Sequence, residues 1–449
     1  MSDALNSFLF STPAMTRAFS SEALLRAMAR FEWALSCALE KQGLAAPGSS
    51  AVMETLLNVE FVDMQALRRD ARDAGSIAIP FVRQLTSAAK SRDEAASMAI
   101  HLGATSQDVL DTALVLQILQ AGLLLDAALE RLEGGLAKQA RSHANTILAA
   151  RTWLQPGPPT TLGLKLAGSL AAMRRSCDRL HAALYQASVL QFGGAVGTLA
   201  ALGDAGNEVS AELARILNLR EPELPWHTQR DRLAELVQVL AILTGSLAKF
   251  ARDVALLMQA EVGEASEGPS RNRGGSSSMP HKHNPVACAA VLAAHGRMPA
   301  LAATMLSAMP QEHERGLGLW QAEWDTVPEA FRITAAALEY SIEIVESLQI
   351  DTVRMRANFD DLLGVTMSEA VNAALARKIG RSAAHSLLRD ASDRALREKR
   401  GLGNVLKEDQ EVLEHLTRDE IDQLMDPRAY LGSTQRFIGN VLGDPDAHG

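Results

Sequence analysis

Long stripes of apolar residues, spaced alternately three and four positions apart, limit what this chain of 449 residues can fold into. One stripe covers residues 233–257, a second covers 166–187 and a looser one covers 110–132. Two further apolar helices are predicted at 286–309 and 328–348. Narrow stripes of this kind are typical of helices that pack at shallow angles against other long helices. The sequence therefore predicts an all-α fold built around a bundle of long helices.

The composition excludes several classes of protein. Hydrophobic residues make up 47% of the chain, which is too apolar for a disordered protein, and aromatic residues only 4%, which disfavours a sandwich or barrel of short strands. A net charge of −9 argues against a nucleic-acid partner. The sequence has no uncharged apolar run of membrane-spanning length and no basic region ahead of an apolar N-terminal stretch, so we expect a cytoplasmic protein without a membrane partner.

The change in pattern along the chain predicts three helical domains. Residues 1–106 form an N-terminal domain, 107–350 the long central bundle and 351–449 a small C-terminal domain. One subunit can hardly cover apolar stripes of this length, so we expect copies of the chain to associate into a shared bundle. An ordinary monomeric bundle is the alternative.

The cysteines give no sign of a disulfide framework or a metal site. Cys37, Cys177 and Cys288 lie far apart in apolar helical segments, without the CxxC or Cys/His spacings typical of zinc sites. We interpret them as small core residues in a reducing compartment, and we expect no bound metal. Histidines outside the motifs, His181 among them, are interpreted as surface or core residues.

The segment 274–285, GGSSSMPHKHNP, lies between two predicted helices. Its residues are suited to a mobile loop. No acidic residue lies between Glu267 and Glu312. The basic residues of this interval are Arg271, Arg273, Lys282 and Arg297. In a chain of charge −9 this local excess of cations indicates an anion site. A plain Gly/Ser linker is the alternative interpretation.

This segment resembles the signature GSSxMPxKxNP of the fumarase/aspartase superfamily and matches it at every fixed position. The resemblance implies a loop that closes over a dicarboxylate. It also implies that Ser276 transfers a proton at the carbon next to a carboxylate. Lys282 and Asn284 match positions that support the carboxylate and the loop, and Ser277 and Met279 are assigned to substrate binding.

The segment 101–112, HLGATSQDVLDT, combines a helix start with an anion-binding pattern. Thr105 or Ser106 can cap the helix that follows, and Asp108 can reach back in a capping box. A helix N-terminus with hydroxyl groups also holds carboxylates. The segment resembles the first conserved region of the superfamily, which implies that Thr105, Ser106 and His101 bind substrate.

The segment 151–163, RTWLQPGPPTTLG, resembles the second conserved region, which normally reads Arg-Thr-His-x-Gln. Here Trp153 replaces the histidine that belongs to the acid/base machinery in most members. The resemblance assigns substrate binding to Arg151, Gln155 and Thr160, and also to Arg315 in the run 314–321.

The missing histidine narrows the reaction. The superfamily carries out anti β-elimination or the reverse addition, and a departing hydroxide or amide needs a proton. A departing carboxylate does not, because its conjugate acid has a pKa near 4. Trp153 in place of the histidine therefore favours the branch of the superfamily in which a carboxylate adds intramolecularly across a double bond to form a lactone. The catalytic residues are then Ser276, Lys282 and Trp153. The role of Trp153 would be to exclude water from the pocket. Plain core packing is the alternative interpretation of Trp153.

The resemblance further implies a small tricarboxylate substrate, no cofactor, no metal and a homotetramer whose active sites combine several subunits. Two alternatives stay open. An amine-eliminating lyase similar to adenylosuccinate lyase is one, since aspartases also lack the histidine and still release ammonia. A catalytically inactive helical oligomer is the other, and the intact Ser/Lys segment 275–285 argues against it.

Overall fold

A computed structural model describes residues 5–268, 275, 279 and 282–444, and most of these residues are helical, as the stripes predict. The chain divides into two compact units. The first unit comprises Met1–Leu129, Ser176–Gly245 and Ala293–Glu339, and the second comprises Glu130–Arg175, Ser246–Leu292 and Tyr340–Gly449. The division into three domains at residues 106 and 350 stays a prediction.

The longest helices, α7, α8, α10, α11 and α12, lie in the middle of the chain. In chain order the helices are α1 (Pro13–Ala18), α2 (Ser21–Lys41), α3 (Ser49–Glu54), α4 (Met64–Ala74), α5 (Ala78–Lys90), α6 (Glu94–Ser97), α7 (Ser106–Ser142), α8 (Leu162–Ala187), α9 (Gly206–Leu217), α10 (Asp231–Leu257), α11 (Val286–Ser307), α12 (Leu319–Ser347), α13 (Thr352–Asp360), α14 (Ser368–Ile379), α15 (Arg381–Glu398), α16 (Leu402–Glu408), α17 (Gln410–Leu413), α18 (Arg418–Leu424) and α19 (Thr434–Leu442). The strands form two antiparallel pairs, β1 (Ile147–Thr152) with β2 (Gln155–Thr161), and β3 (Ala265–Glu267) with β4 (Leu348–Ile350).

The predicted long helices are present, and one of their starts was placed wrongly. All eight stripe residues between Leu233 and Leu257 are buried in α10. In contrast, α12 begins at Leu319, so Pro328 lies inside the helix rather than at its start. Proline removes one backbone hydrogen bond. The helix nevertheless continues through it, because the buried side chains of Trp320 and Phe331 hold the segments on either side of the proline.

Three helices within the described part of the chain, α7, α10 and α11, are long and apolar enough to cross a membrane by length and composition alone. The fold already buries 56%, 61% and 39% of their most apolar windows, respectively. The heptad-like spacing accounts for this burial, because it turns one side of each helix toward its neighbours. We therefore interpret them as bundle helices.

A fully buried ion-pair network joins three long helices within the first unit. Arg230, just before α10, places its Nη1 2.7 Å from Asp111 Oδ2 on α7 and its Nη2 2.5 Å from Glu323 Oε2 on α12. Trp320 Nε1 donates to the same Asp111 carboxylate at 3.0 Å. Burial opposes the charge of Arg230, but the two carboxylates outweigh it and raise its pKa. The network fixes the first turns of α7, which contain the second half of the segment 101–112.

Candidate active site

The first unit presents the N-terminus of α7 as a possible anion site. Thr105 precedes the first helical residue, Ser106, and both are half-buried. The backbone N–H of Thr105 donates to Asp108 Oδ2 at 3.0 Å, which is the backbone half of the predicted capping box. The positive end of the helix dipole and the hydroxyl groups of this turn suit a carboxylate.

Asp108 does more than cap the helix. Its wholly buried carboxylate also accepts hydrogen bonds from the backbone N–H groups of Gly193 at 3.1 Å and Gly194 at 2.9 Å. Gln191 Nε2 donates to it at 2.9 Å, and His227 Nε2 lies 2.7 Å from Oδ1. Asp108 therefore anchors the chain segment 191–194 beside the start of α7.

His101 is held by a buried carboxylate that sequence reasoning missed. Glu32, inside the apolar run of α2, accepts from the backbone N–H of His101 at 2.9 Å and lies 2.6 Å from its Nδ1. His101 has a positive φ of 60°, which this double contact maintains. Burial alone would lower the pKa of His101, but the charge and hydrogen bond of Glu32 outweigh burial and raise it. With Nδ1 engaged, Nε2 is the ring nitrogen suited to contact a ligand.

Arg315 is tied to the same helix turn. Its Nη1 donates to Gln107 Oε1 at 2.8 Å, and its Nη2 donates to the carbonyl oxygens of Gly194 at 2.8 Å and Ala195 at 3.0 Å. Burial lowers the pKa of Arg315 below its usual range, although Asp108 opposes the shift. The first unit thus brings the predicted region 101–106 together with the predicted Arg315.

The second unit presents the motif of the second conserved region as a hairpin that sequence analysis did not predict. Strands β1 and β2 pair Thr152 with Gln155, so Trp153 and Leu154 form a two-residue loop. Both have positive φ, 54° and 61°, a conformation that Asn and Gly usually supply in such turns. Trp153 is 98% exposed within the chain. Gln155 is exposed as well, and Thr160 is half-buried on β2.

Arg151 carries a buried partner within this unit. Its Nη2 lies 2.6 Å from Oε1 of Glu264, whose side chain is wholly buried and also accepts from Asn358 Nδ2 at 2.9 Å. The other oxygen of Glu264 has no hydrogen-bond partner among the described residues. A substrate carboxylate on Arg151 would therefore share the guanidinium with Glu264.

The loop signature also belongs to the second unit. Gly275 pairs with His283 in an antiparallel bridge, and the backbone N–H of Lys282 donates to the carbonyl of Met279 at 3.0 Å. Lys282 and Met279 are exposed, and Asn284 is half-buried. These residues are close together and accessible, as a loop that meets a ligand requires.

One partly buried contact holds the C-terminal end of this loop. Glu267, at the end of β3, accepts from the backbone N–H groups of Ala287 at 3.2 Å and Cys288 at 2.9 Å, in the first turn of α11. The predicted proton-transfer residue Ser276 and the predicted binding residue Ser277 lie outside the described residues.

Comparisons with known proteins identify the family. A family profile described as Lyase matches residues 8–299, and a second profile, described as Adenylosuccinate lyase C-terminus, matches residues 364–441. The chain belongs to this lyase family. The resemblance to the fumarase/aspartase superfamily is thereby confirmed.

Relatives within the lyase family are similar over nearly their full length. The 3-carboxy-cis,cis-muconate cycloisomerase of Pseudomonas aeruginosa is 47% identical over 440 residues, which cover 98% of this chain and 96% of that protein. The crystal structure of the 3-carboxy-cis,cis-muconate lactonizing enzyme from Pseudomonas putida aligns with a TM-score of 0.92 at 44% identity and covers 98% of both chains. The beta-carboxy-cis,cis-muconate cycloisomerase from Acinetobacter calcoaceticus aligns with a TM-score of 0.92 at 37% identity, covering 98% of this chain and 100% of that one.

Within this lyase-family chain, the predicted residues fall into one group in each unit. His101, Thr105, Ser106 and Arg315 belong to the first, whereas the hairpin and the loop belong to the second. Their individual roles stay predictions. Sequence reasoning missed Glu32, although a charged residue within the apolar run FEWALSCALE was a usable signal.

Proposed function

We propose that this lyase-family chain converts 3-carboxy-cis,cis-muconate to a carboxymuconolactone. The observation that supports this function is the similarity over 98% of the chain to the Pseudomonas aeruginosa cycloisomerase. The reaction is an isomerisation that moves one bond and one proton and changes no oxidation state, so the proposal includes no cofactor. The three free cysteines fit the reducing cytoplasm.

Substrate binding in this proposal uses the cations and N–H groups that the two units present. The start of α7 at Thr105 and Ser106 receives one carboxylate. His101 lies in the turn just before this start, and Arg315 donates a hydrogen bond to Gln107 in the first turn of α7. The raised pKa of His101 favours its charged form, which attracts an anion. Arg151, Gln155 and Thr160 on the hairpin and Ser277, Met279 and Asn284 of the loop complete the proposed binding set.

The chemistry begins when one oxygen of a substrate carboxylate attacks a carbon of the diene. A new C–O bond closes the five-membered ring, and the electron pair of the double bond moves toward another carboxylate, which becomes an aci-carboxylate. Lys282 and backbone N–H groups stabilise this charge. Ser276 then delivers a proton to the adjacent carbon, and the electron pair forms the new C–H bond.

The proposal assigns Trp153 the place of the missing histidine. In the reverse direction the leaving group is a carboxylate, which departs without a proton because its conjugate acid has a pKa near 4. Trp153 is 98% exposed in the single chain, so a role in excluding water requires another copy of the chain to cover it. We therefore include in the proposal a homotetramer whose active sites combine several chains.

The first experiment mixes the protein with 3-carboxy-cis,cis-muconate and follows the loss of the ultraviolet absorbance of the diene. A parallel assay offers adenylosuccinate and measures fumarate. We expect turnover of the first substrate alone. Turnover of adenylosuccinate alone would favour the amine-eliminating alternative, and no turnover of either would favour a structural oligomer.

The second experiment tests the proton donor. Ser276→Ala should lower the rate by about 10²–10⁴-fold, which is the usual contribution of general acid–base catalysis. Ser278→Ala, two positions along the same serine run, is the matched control and should retain the wild-type rate. Equal activity of the two variants would remove Ser276 from the mechanism.

A third experiment tests whether several chains share one site. A variant inactivated by substitution of Trp153 is mixed with a variant inactivated by substitution of Ser276, and the two kinds of subunit are allowed to exchange. Regained activity is expected if one site draws these residues from different chains. Its absence after verified exchange would favour sites built within one chain.

A further inference from the structure

Three side chains of different chemistry meet on the surface of the first unit, outside the segments assigned to the cyclisation. Cys177 and His181 lie one helical turn apart on α8, so their side chains share one face of the helix. Asp126 on α7 faces them. Its Oδ1 lies 2.6 Å from His181 Nε2 and 3.9 Å from Cys177 Sγ, and Sγ lies 3.7 Å from the same Nε2.

These distances suit three ligands of one metal ion. Zn²⁺ bound at about 2.3 Å from sulfur and about 2.1 Å from nitrogen and oxygen places tetrahedral ligand atoms roughly 3.3–3.6 Å apart. The two distances to Cys177 Sγ, 3.7 and 3.9 Å, are close to this range. Only the contact between His181 and Asp126 must widen, by about 0.7 Å. Their side chains are 54% and 48% exposed, so both have room to turn.

The ligand types also select the metal. A cysteine sulfur and an imidazole nitrogen favour Zn²⁺ and similar transition metals over Mg²⁺ or Ca²⁺, which prefer oxygen. An ordinary ion pair would explain why His181 and Asp126 lie close together. It would not explain why the sulfur of Cys177 lies beside both of them.

We propose that Cys177, His181 and Asp126 form a binding site for Zn²⁺ or a similar divalent transition metal, with water in the fourth position. The bound ion links α7 to α8 and stabilises the helix pair. The expectation of no metal rests on the absence of zinc-type spacings along the chain. Cys177 and His181 supply only two ligands, and Asp126 lies 51 residues before Cys177 on another helix.

The test uses the full-length protein, stripped of metal with a chelator and then titrated with Co²⁺. Co²⁺ at such a site produces a thiolate-to-metal absorption band and the visible bands of tetrahedral Co²⁺, and Zn²⁺ then removes both. We expect one equivalent per chain. Cys177→Ser should abolish the thiolate band, and His181→Ala and Asp126→Asn should each weaken binding at least 10-fold.

Cys37→Ser is the matched control, because Cys37 is also a half-buried helical cysteine outside any disulfide. This variant should bind Co²⁺ like the wild type. Zn²⁺ should also raise the melting temperature of the wild type but not of Cys177→Ser. The absence of a thiolate band, or an equal band in Cys177→Ser, would overturn the proposal.

Discussion

Asp108→Asn is the substitution that best tests how the first unit holds the segments that carry its predicted binding residues. The native carboxylate accepts three hydrogen bonds on Oδ1, from Gln191, Gly193 and His227, and two on Oδ2, from Thr105 and Gly194. The substituted amide has one acceptor oxygen and one donor group. Its least damaging orientation places Nδ2 where Oδ2 was and leaves two backbone N–H groups facing a donor.

The expected loss follows from those two contacts. A hydrogen bond to a charged group contributes about 1.5–3 kcal/mol, so two lost bonds lower the free energy of unfolding by about 3–6 kcal/mol. For a unit of this size, 1 kcal/mol corresponds to about 2–4 °C in melting temperature. We therefore expect Asp108→Asn to melt at least about 6 °C below the wild type. Turnover should fall as well, because the carbonyl oxygen of Gly194 accepts a hydrogen bond from Arg315, a proposed substrate-binding residue.

Differential scanning calorimetry measures the shift, and Asp63→Asn provides the control. Asp63 caps α4 through Gln65 and Ala66, but it is exposed, and asparagine caps a helix about as well as aspartate. This control should melt within about 1 °C of the wild type. If Asp108→Asn melts no lower than Asp63→Asn, the buried carboxylate does not organise the segment as we argue.

Two further predictions concern buried charges of the first unit. The pKa of His101 is raised from its ordinary value of 6.5, so its contact with Glu32 stabilises the fold fully below that pH, and the contribution is lost as the pH rises through the raised pKa. Glu32→Gln should therefore lower the melting temperature more at about pH 6 than at about pH 9, and an equal shift at both would contradict this account. Arg230→Met leaves the carboxylates of Asp111 and Glu323 buried without their cation, so urea unfolding should show a loss of about 3–5 kcal/mol. A loss below about 1 kcal/mol would mean that the two carboxylates pair with another cation or become protonated.

Much of the helical fold was predictable because the relevant signals are local. The stripe in α10 has a period that matches the helix, and its apolar residues are buried as expected. The start of α12 was not predictable in this way. Pro328 is typical of a first turn, yet the helix continues through it because the side chains of Trp320 and Phe331, on either side of the proline, are buried.

The hairpin at Trp153 shows the same limit at the site. The sequence Trp-Leu has no preference for a turn with two positive φ angles, so nothing local indicated a two-residue loop. The paired strands impose that conformation and expose the indole. The substitution of the motif's histidine was readable from the sequence, whereas the position of its replacement was not.

The sequence by itself determined the long helices, the three motifs and the reaction class that the missing histidine favours. Each of these depends on residue types at fixed spacings along the chain. Only the tertiary structure decided the partners of the buried charges, such as Glu32 beside His101 and Asp111 beside Arg230, which lie 69 and 119 residues apart. A buried charge needs a partner, but spacing along the chain does not specify which distant residue packing will bring to it.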